Sequence, residues 1–210
     1  MAEFGAAAKS GADIRKAIRP VSHVAEPFFA GKINALAGKI CKLDDKGAWG
    51  ERVITISKHK YLLEGLNLNS KMVFNSVIRQ PLLSVFNRNK CSAVLQIPAL
   101  TPALNFFVPS QYPLYQFTIS LGLITDIGYA DKKHKPISGT TCFPVQTRTE
   151  WYPSRSSRAT EEIELQLTHP KLEEGQSMIL AMAIDFAYPS VDTRVERIKY
   201  AGSGIILAMD

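Results

Sequence analysis

Two hydrophobic periodicities divide the chain. Over roughly the first fifty residues apolar side chains recur every third or fourth position, and from about residue 52 they recur every second position. On a helical wheel, AEFGAAAKSGADIRKAIRP places Phe4, Ala7, Ala8, Gly11, Ile14 and Ile18 on one face, with Lys9 and Lys16 roughly opposite. Pro20 sets the end of this helix, because the residue before a proline avoids helical angles. Its stripe of Phe4, Ala8, Gly11, Ile14 and Ile18 is a candidate docking surface, whose small residues let another backbone come close. It is expected to face a second helix or a sheet. That second helix shows in Phe29, Ile33, Leu36, Ile40 and Leu43, with a start marked by Ser22 or Pro27 and an end at DDKGAWG. Together they predict a helical hairpin.

The later half reads as strands. In LYQFTISLGLI, Tyr115, Phe117, Ile119, Leu121 and Leu123 alternate with polar or small residues; in EEIELQLTH, Ile163, Leu165 and Leu167 do the same. SMILAMAIDFAY is apolar on both faces up to Asp185, so it is either a central strand or one covered by the helices. Weaker strand patterns cover 53–57, 63–68, 72–78, 82–86, 92–97, 141–147, 195–200 and 204–209. Turn signals fall at Gln80-Pro81, 98–109, 132–136, 153–157, Glu174-Gly175 and Gly202-Ser203-Gly204. The expected class is α+β, mainly β: an N-terminal helical region over 1–50, then an antiparallel immunoglobulin- or fibronectin-like β-sandwich over 51–210.

Composition narrows the reading. A chain of 210 residues with 46% hydrophobic side chains can bury a sizeable core. No apolar run is long enough to span a bilayer, and the start lacks a charged region followed by an apolar one. The expectation is a chain without an export signal, cytoplasmic by default. Cys41, Cys91 and Cys142 are too dispersed for a metal knuckle and odd in number, which favours free thiols. The charge is uneven: residues 1–60 hold 11 Lys/Arg against 6 Asp/Glu, and residues 61–210 hold 14 against 13.

Few residues nominate chemistry. AGSGI at 201–205 leads into a strand, so a hairpin turn explains it better than a phosphate loop, and no serine elbow occurs. His23, His59, His134 and His169 lie far apart, without ligand spacing for zinc. No catalytic, cofactor-binding or metal residue is assigned. Glu161, Glu162 and Glu164 read as a solvated strand face. Asp185 interrupts an apolar strand and is read as structural, at a strand end that exposes one face; with His169 it is where a dispersed active site would be sought. Basic stretches occur at SKHKY (57–61), DKKHK (131–135) and RTEWYPSRSSR (148–158). In the last, Arg148, Trp151, Tyr152, Arg155 and Arg158 form a candidate binding surface, since single-strand binders place aromatics beside cations. The near-neutral sheet half weighs against nucleic acid. The leading expectation is a non-catalytic structural or protein-interaction module acting through its surface, with a protein partner or self-association. The alternatives are nucleic-acid binding, through the basic helices or the Arg148–Arg158 loop, and a carbohydrate-binding β-sandwich.

Several segments carry a resemblance: EFG…AAKSGADIRKAIRP, LLEGLNLN, a strand running into IPALTP, YQFTISLG, and ILAMAIDFAYPSV…IKYAGSGIILAMD. In this order they are similar to an uncharacterised family of Bacteroidota proteins, a domain of unknown function. That family has an EFG-x-A-x-K-x-G-x-x-I/L-R helix, an L-L-x-G-F-x-F-N segment and a closing strand pair. Leu66 and Leu68 stand where the family favours Phe, and the chain begins at the EFG helix where the family has a short Gly- and Lys-rich lead. The resemblance implies the same two-part layout and a bacterial, non-enzymatic protein, and brings no catalytic residue, cofactor or ligand.

Overall fold

A computed structural model of the chain describes residues 2–109, 111–139, 142–168, 171–190 and 195–210, without the Tyr200 side chain. Helix α1 (Ala2–Ala17) is followed by a 3-10 turn (Arg19–Val24) and by helix α2 (Phe29–Cys41); a one-turn helix α3 spans Phe74–Val77. The strands are β1 (Leu83–Asn87), β2 (Ser92–Ile97), β3 (Leu114–Thr125), β4 (Ile127–Ala130), β5 (Lys133–Pro136), β6 (Val145–Arg148), β7 (Tyr152–Pro153), β8 (Glu161–Gln166), β9 (Gln176–Pro189) and β10 (Val195–Met209). All pair antiparallel. The large sheet has the order β10-β9-β3-β6, with β7 also on β3. The small sheet is β1-β2-β8, and β4-β5 is a hairpin.

Three layers result, because β9 is apolar on both faces. Met178, Leu180, Met182, Ile184 and Phe186 join Phe117, Ile119 and Leu121 in a core shared with Ala93, Leu95 and Leu165 of the small sheet. Ile179, Ala181 and Ala183 point the other way, into a core shared with Ile14, Ile18, Ile33 and Ile40 of the hairpin. So β9 is both central and covered by the helices. Neither hairpin nor sheet could leave these faces in water, and sharing them buries both.

Close backbone approach fixes how the helical layer sits. A Cβ on Gly122 of β3 would lie 2.3 Å from the Ala17 carbonyl oxygen, so the end of α1 rests on bare backbone. Gly202 and Gly204 do the same for the 3-10 turn: a Cβ on either would come within 2.6 or 2.7 Å of a Val24 methyl. The AGSGI stretch is therefore not a hairpin turn. It lies inside one strand, β10, which runs through 195–209 with a register shift between Arg197 and Gly202. Other patterns also resolve differently. Residues 74–77 of the 72–78 stretch are α3, and 56–58 is a 3-10 turn. The 132–136 stretch is β5 with one residue of the β4-β5 tip, where Asp131 and Lys132 both have positive φ.

Candidate functional site

The strongest polar cluster lies where the Arg19–Val24 turn meets the ends of β9 and β10. Val21 and Val24 are buried, and this anchors the turn. Ser22 Oγ donates to the Arg19 carbonyl (2.8 Å) and the Val21 amide to that of Ile18 (3.0 Å), tightening it further. With its apolar side committed to the core, the turn presents Arg19 and His23 outward. His23 Nδ1 lies 3.1 Å from the Pro20 carbonyl, which can only accept, so Nδ1 carries a proton. His23 Nε2 lies 2.8 Å from Asp185 Oδ1.

Asp185 occupies the helix-side face of β9, two positions beyond Ala183, and is 1% exposed. Its Oδ1 also accepts from Arg197 Nε of β10 at 3.0 Å, and its Oδ2 from Thr118 Oγ1 of β3 at 3.3 Å. The Arg197 guanidinium closes against His23 Nε2 as well. Burial alone would push the Asp185 carboxyl up, but the hydrogen bonds from His23 and Arg197 outweigh it and hold the group below its ordinary 3.8. One buried carboxylate thus orients an imidazole and a guanidinium at the surface.

Two cavities, of about 240 and 480 Å³, share His23 and Arg197. The larger continues along Arg19, Pro20, Phe143, Pro144, Gln146 and Arg148. Arg148 and Gln146 sit on β6 directly opposite Thr118 and Ser120 of β3, and cross-strand partners share a face. Thr118 reaches Asp185, so Arg148 and Gln146 project toward the same side. Phe143, almost fully exposed, stands at the mouth. Among the described lining residues of the larger cavity are three guanidinium groups, those of Arg19, Arg148 and Arg197, and no carboxylate. The cleft is suited to receive negative charge, with planar donors that match a carboxylate, sulfate or phosphate. No cluster of three or more His, Cys, Asp or Glu able to hold a metal occurs among the described residues.

The candidate surface named from 148–158 is dispersed. Arg148 joins the cleft. Tyr152 packs 5.8 Å from the Tyr115 ring, and Arg158 lies over Tyr152 (4.1 Å) and Phe117 (5.1 Å) while pairing with Glu161, a cementing role. Arg155 borders a separate cavity with Pro102, Phe106 and Tyr112. Trp151 is half-buried and lines none of these cavities. In the α1 stripe Ile14 and Ile18 are fully buried and Ala8 is half-buried. Gly11 is buried too, because a Cβ there would meet Asn34 Oδ1 of α2 at 2.1 Å. Phe4 departs from the expectation: it is 79% exposed at the first turn of α1, whereas Ala6 and Ala7 just after it are already buried in the core. His134 Nε2 contacts the Arg52 carbonyl (2.9 Å), His59 packs edge-on against Tyr61, and His169 lies outside the described residues. Asp185 is no solvent-facing strand end: the turn bearing His23 covers it.

No protein-family model, curated protein or solved structure matches the chain. The functional reading therefore rests on the cleft itself.

Proposed function

We propose that the protein is a non-catalytic binding module whose cleft between the Arg19–Val24 turn and the β6 edge receives an anionic group of its partner. The observation that carries this reading is Asp185: a carboxylate committed to the interior fixes His23 and Arg197 in place, so the guanidinium donors of Arg197 that it leaves free stand already oriented beside Arg19 and Arg148. The two facing sheets then serve as an immunoglobulin-like scaffold that holds the cleft from behind.

A second reading is favoured by Phe143. An exposed aromatic ring at the mouth of an arginine-lined cleft is what base stacking uses, so the anion would be the phosphate backbone of a single strand. Both readings predict retention on a heparin column that weakens with salt, because bound anions displace counterions. Arg19→Ala/Arg148→Ala elutes at clearly lower salt, while Lys132→Ala/Lys133→Ala, exposed on the β4-β5 hairpin and outside the cleft lining, elutes close to the unaltered protein. Unchanged elution of the arginine pair would remove the cleft as the site. Phe143→Ala separates the readings: it weakens binding of a labelled oligothymidylate only if stacking contributes.

A further inference from the structure

The two outer layers of the molecule carry opposite characters. On the helical layer a groove of about 660 Å³ runs between α1 and α2, with a floor of small residues including Ala7, Ala8, Gly31 and Gly38. Phe4 borders it, 79% exposed. Lys39 and Lys42 stand on its rim, exposed, and form no ion pair among the described residues. The one carboxylate in the lining, Glu3, accepts a hydrogen bond from the Gly50 amide at 2.8 Å. The groove is apolar within and cationic at its edge.

The outer face of the small sheet is the converse. Cross-strand partners Leu83–Gln96–Glu162 and Val85–Val94–Glu164 form two rows whose side chains point away from the core, since the intervening Leu95, Ala93 and Leu165 point into it. Leu83 is 62% and Val85 69% exposed, and Glu162 and Glu164 are exposed without an ion pair among the described residues. This face is a low apolar ridge flanked by carboxylates.

We infer that the protein associates head to tail with further copies of itself, the Leu83–Val85 ridge of one copy seating in the α1–α2 groove of the next. The spacings agree. Lys39 and Lys42, three apart on a helix, lie about 5–6 Å apart at Cβ. Glu162 and Glu164, two apart on a strand, lie about 6.5–7 Å apart. Two ammonium groups therefore meet two carboxylates while Leu83 and Val85 fill the space over the small-residue floor. The hairpin and the small sheet cover opposite faces of the large sheet. A contact between them leaves the complementary surface of each copy free, so the assembly grows past the dimer, into a ring or a filament.

Light scattering and sedimentation velocity across protein concentration at low salt test this. The mass is expected to rise from the 23.2 kDa of the single chain past twice that value without a plateau at the dimer, and to fall back as salt is added. Lys39→Glu/Lys42→Glu and Glu162→Lys/Glu164→Lys each hold the chain at the monomer mass. The variant carrying all four reversals associates again, which also shows that the reversed surfaces leave the fold intact. A wild-type chain that stays monomeric at every concentration overturns the inference. So does a plateau at the dimer, or a fourfold variant that remains monomeric while folded.

Discussion

Asp185 sits where an apolar strand should have continued with another alanine-sized residue. Its carboxylate is 1% exposed, yet both the imidazole and the guanidinium that contact it, those of His23 and Arg197, remain partly exposed, with side-chain exposures of 29% and 39%. Removing one member of a fully buried ion pair costs about 3–5 kcal/mol. Partial exposure of the partners lowers that expectation, so Asp185→Asn should destabilise the fold by about 1–3 kcal/mol in urea unfolding. It should also weaken heparin retention, because His23 and Arg197 lose the group that orients them. Unaltered stability and retention would make the triad incidental. The sequence shows Asp185 as an anomaly in an apolar run. It does not show the partners, because His23 precedes it by 162 residues and Arg197 follows the β9–β10 reversal. A lone polar residue in a strand signals that something covers it, without saying what.

Among the elements, regular alternation was legible and irregular backbone was not. The inward sets of β3 and β8 follow directly from period-two patterning, the burial of both faces of β9 follows from its unbroken apolar run, and the buried positions Phe29, Ile33 and Ile40 of α2 follow from helical spacing. Gly202 and Gly204 mislead because glycine serves two physical needs, a tight turn or a close approach, and only the position of Val24 decides between them. The segment 65–68 is similar: it lies along β10 through Gly65 N–Ile206 O (2.9 Å) and Leu68 N–Gly204 O (2.8 Å) instead of forming a regular strand. Glu26 ties this segment to the linker before α2. Its backbone amide donates to the Leu68 carbonyl at 2.9 Å, and its carboxylate accepts from Ser70 and pairs with Lys32. The Lys32 and Ser70 contacts lower its pKa from 4.5 to about 2. A value depressed in the folded state means that the stabilisation is complete above the unfolded value and drains away as pH falls through the folded one. The stability gap between wild type and Glu26→Gln should thus be constant above about pH 5 and shrink toward pH 2. A gap independent of pH would show that these contacts do not anchor the segment.

At the scale of the molecule, the two periods give the mostly antiparallel α+β class, but the change near residue 52 does not mark where the sheets start: two 3-10 turns and α3 fall within 56–77, and the first strand begins at Leu83. What the periods could not convey is that the hairpin and the large sheet share one core, since amphipathic faces of both kinds are silent about their partner. The cleft arises from this sharing. Arg19 comes from the helical quarter, Arg148 from the far edge strand and Arg197 from the other edge strand, and docking of the hairpin is what brings them together. The basic N-terminal quarter and the 148–158 stretch, separate features of the sequence, contribute to one surface.

The claim that this surface takes an anion is tested most directly by following arginine Nε–Hε resonances in a protein labelled with nitrogen-15 during titration with inorganic tripolyphosphate. Saturable shifts of Arg19, Arg148 and Arg197 with one common dissociation constant are expected. Arg88, paired with Asp210, and Arg158, paired with Glu161, should stay still. Shifts spread over all exposed arginines, or none at the cleft, would contradict it.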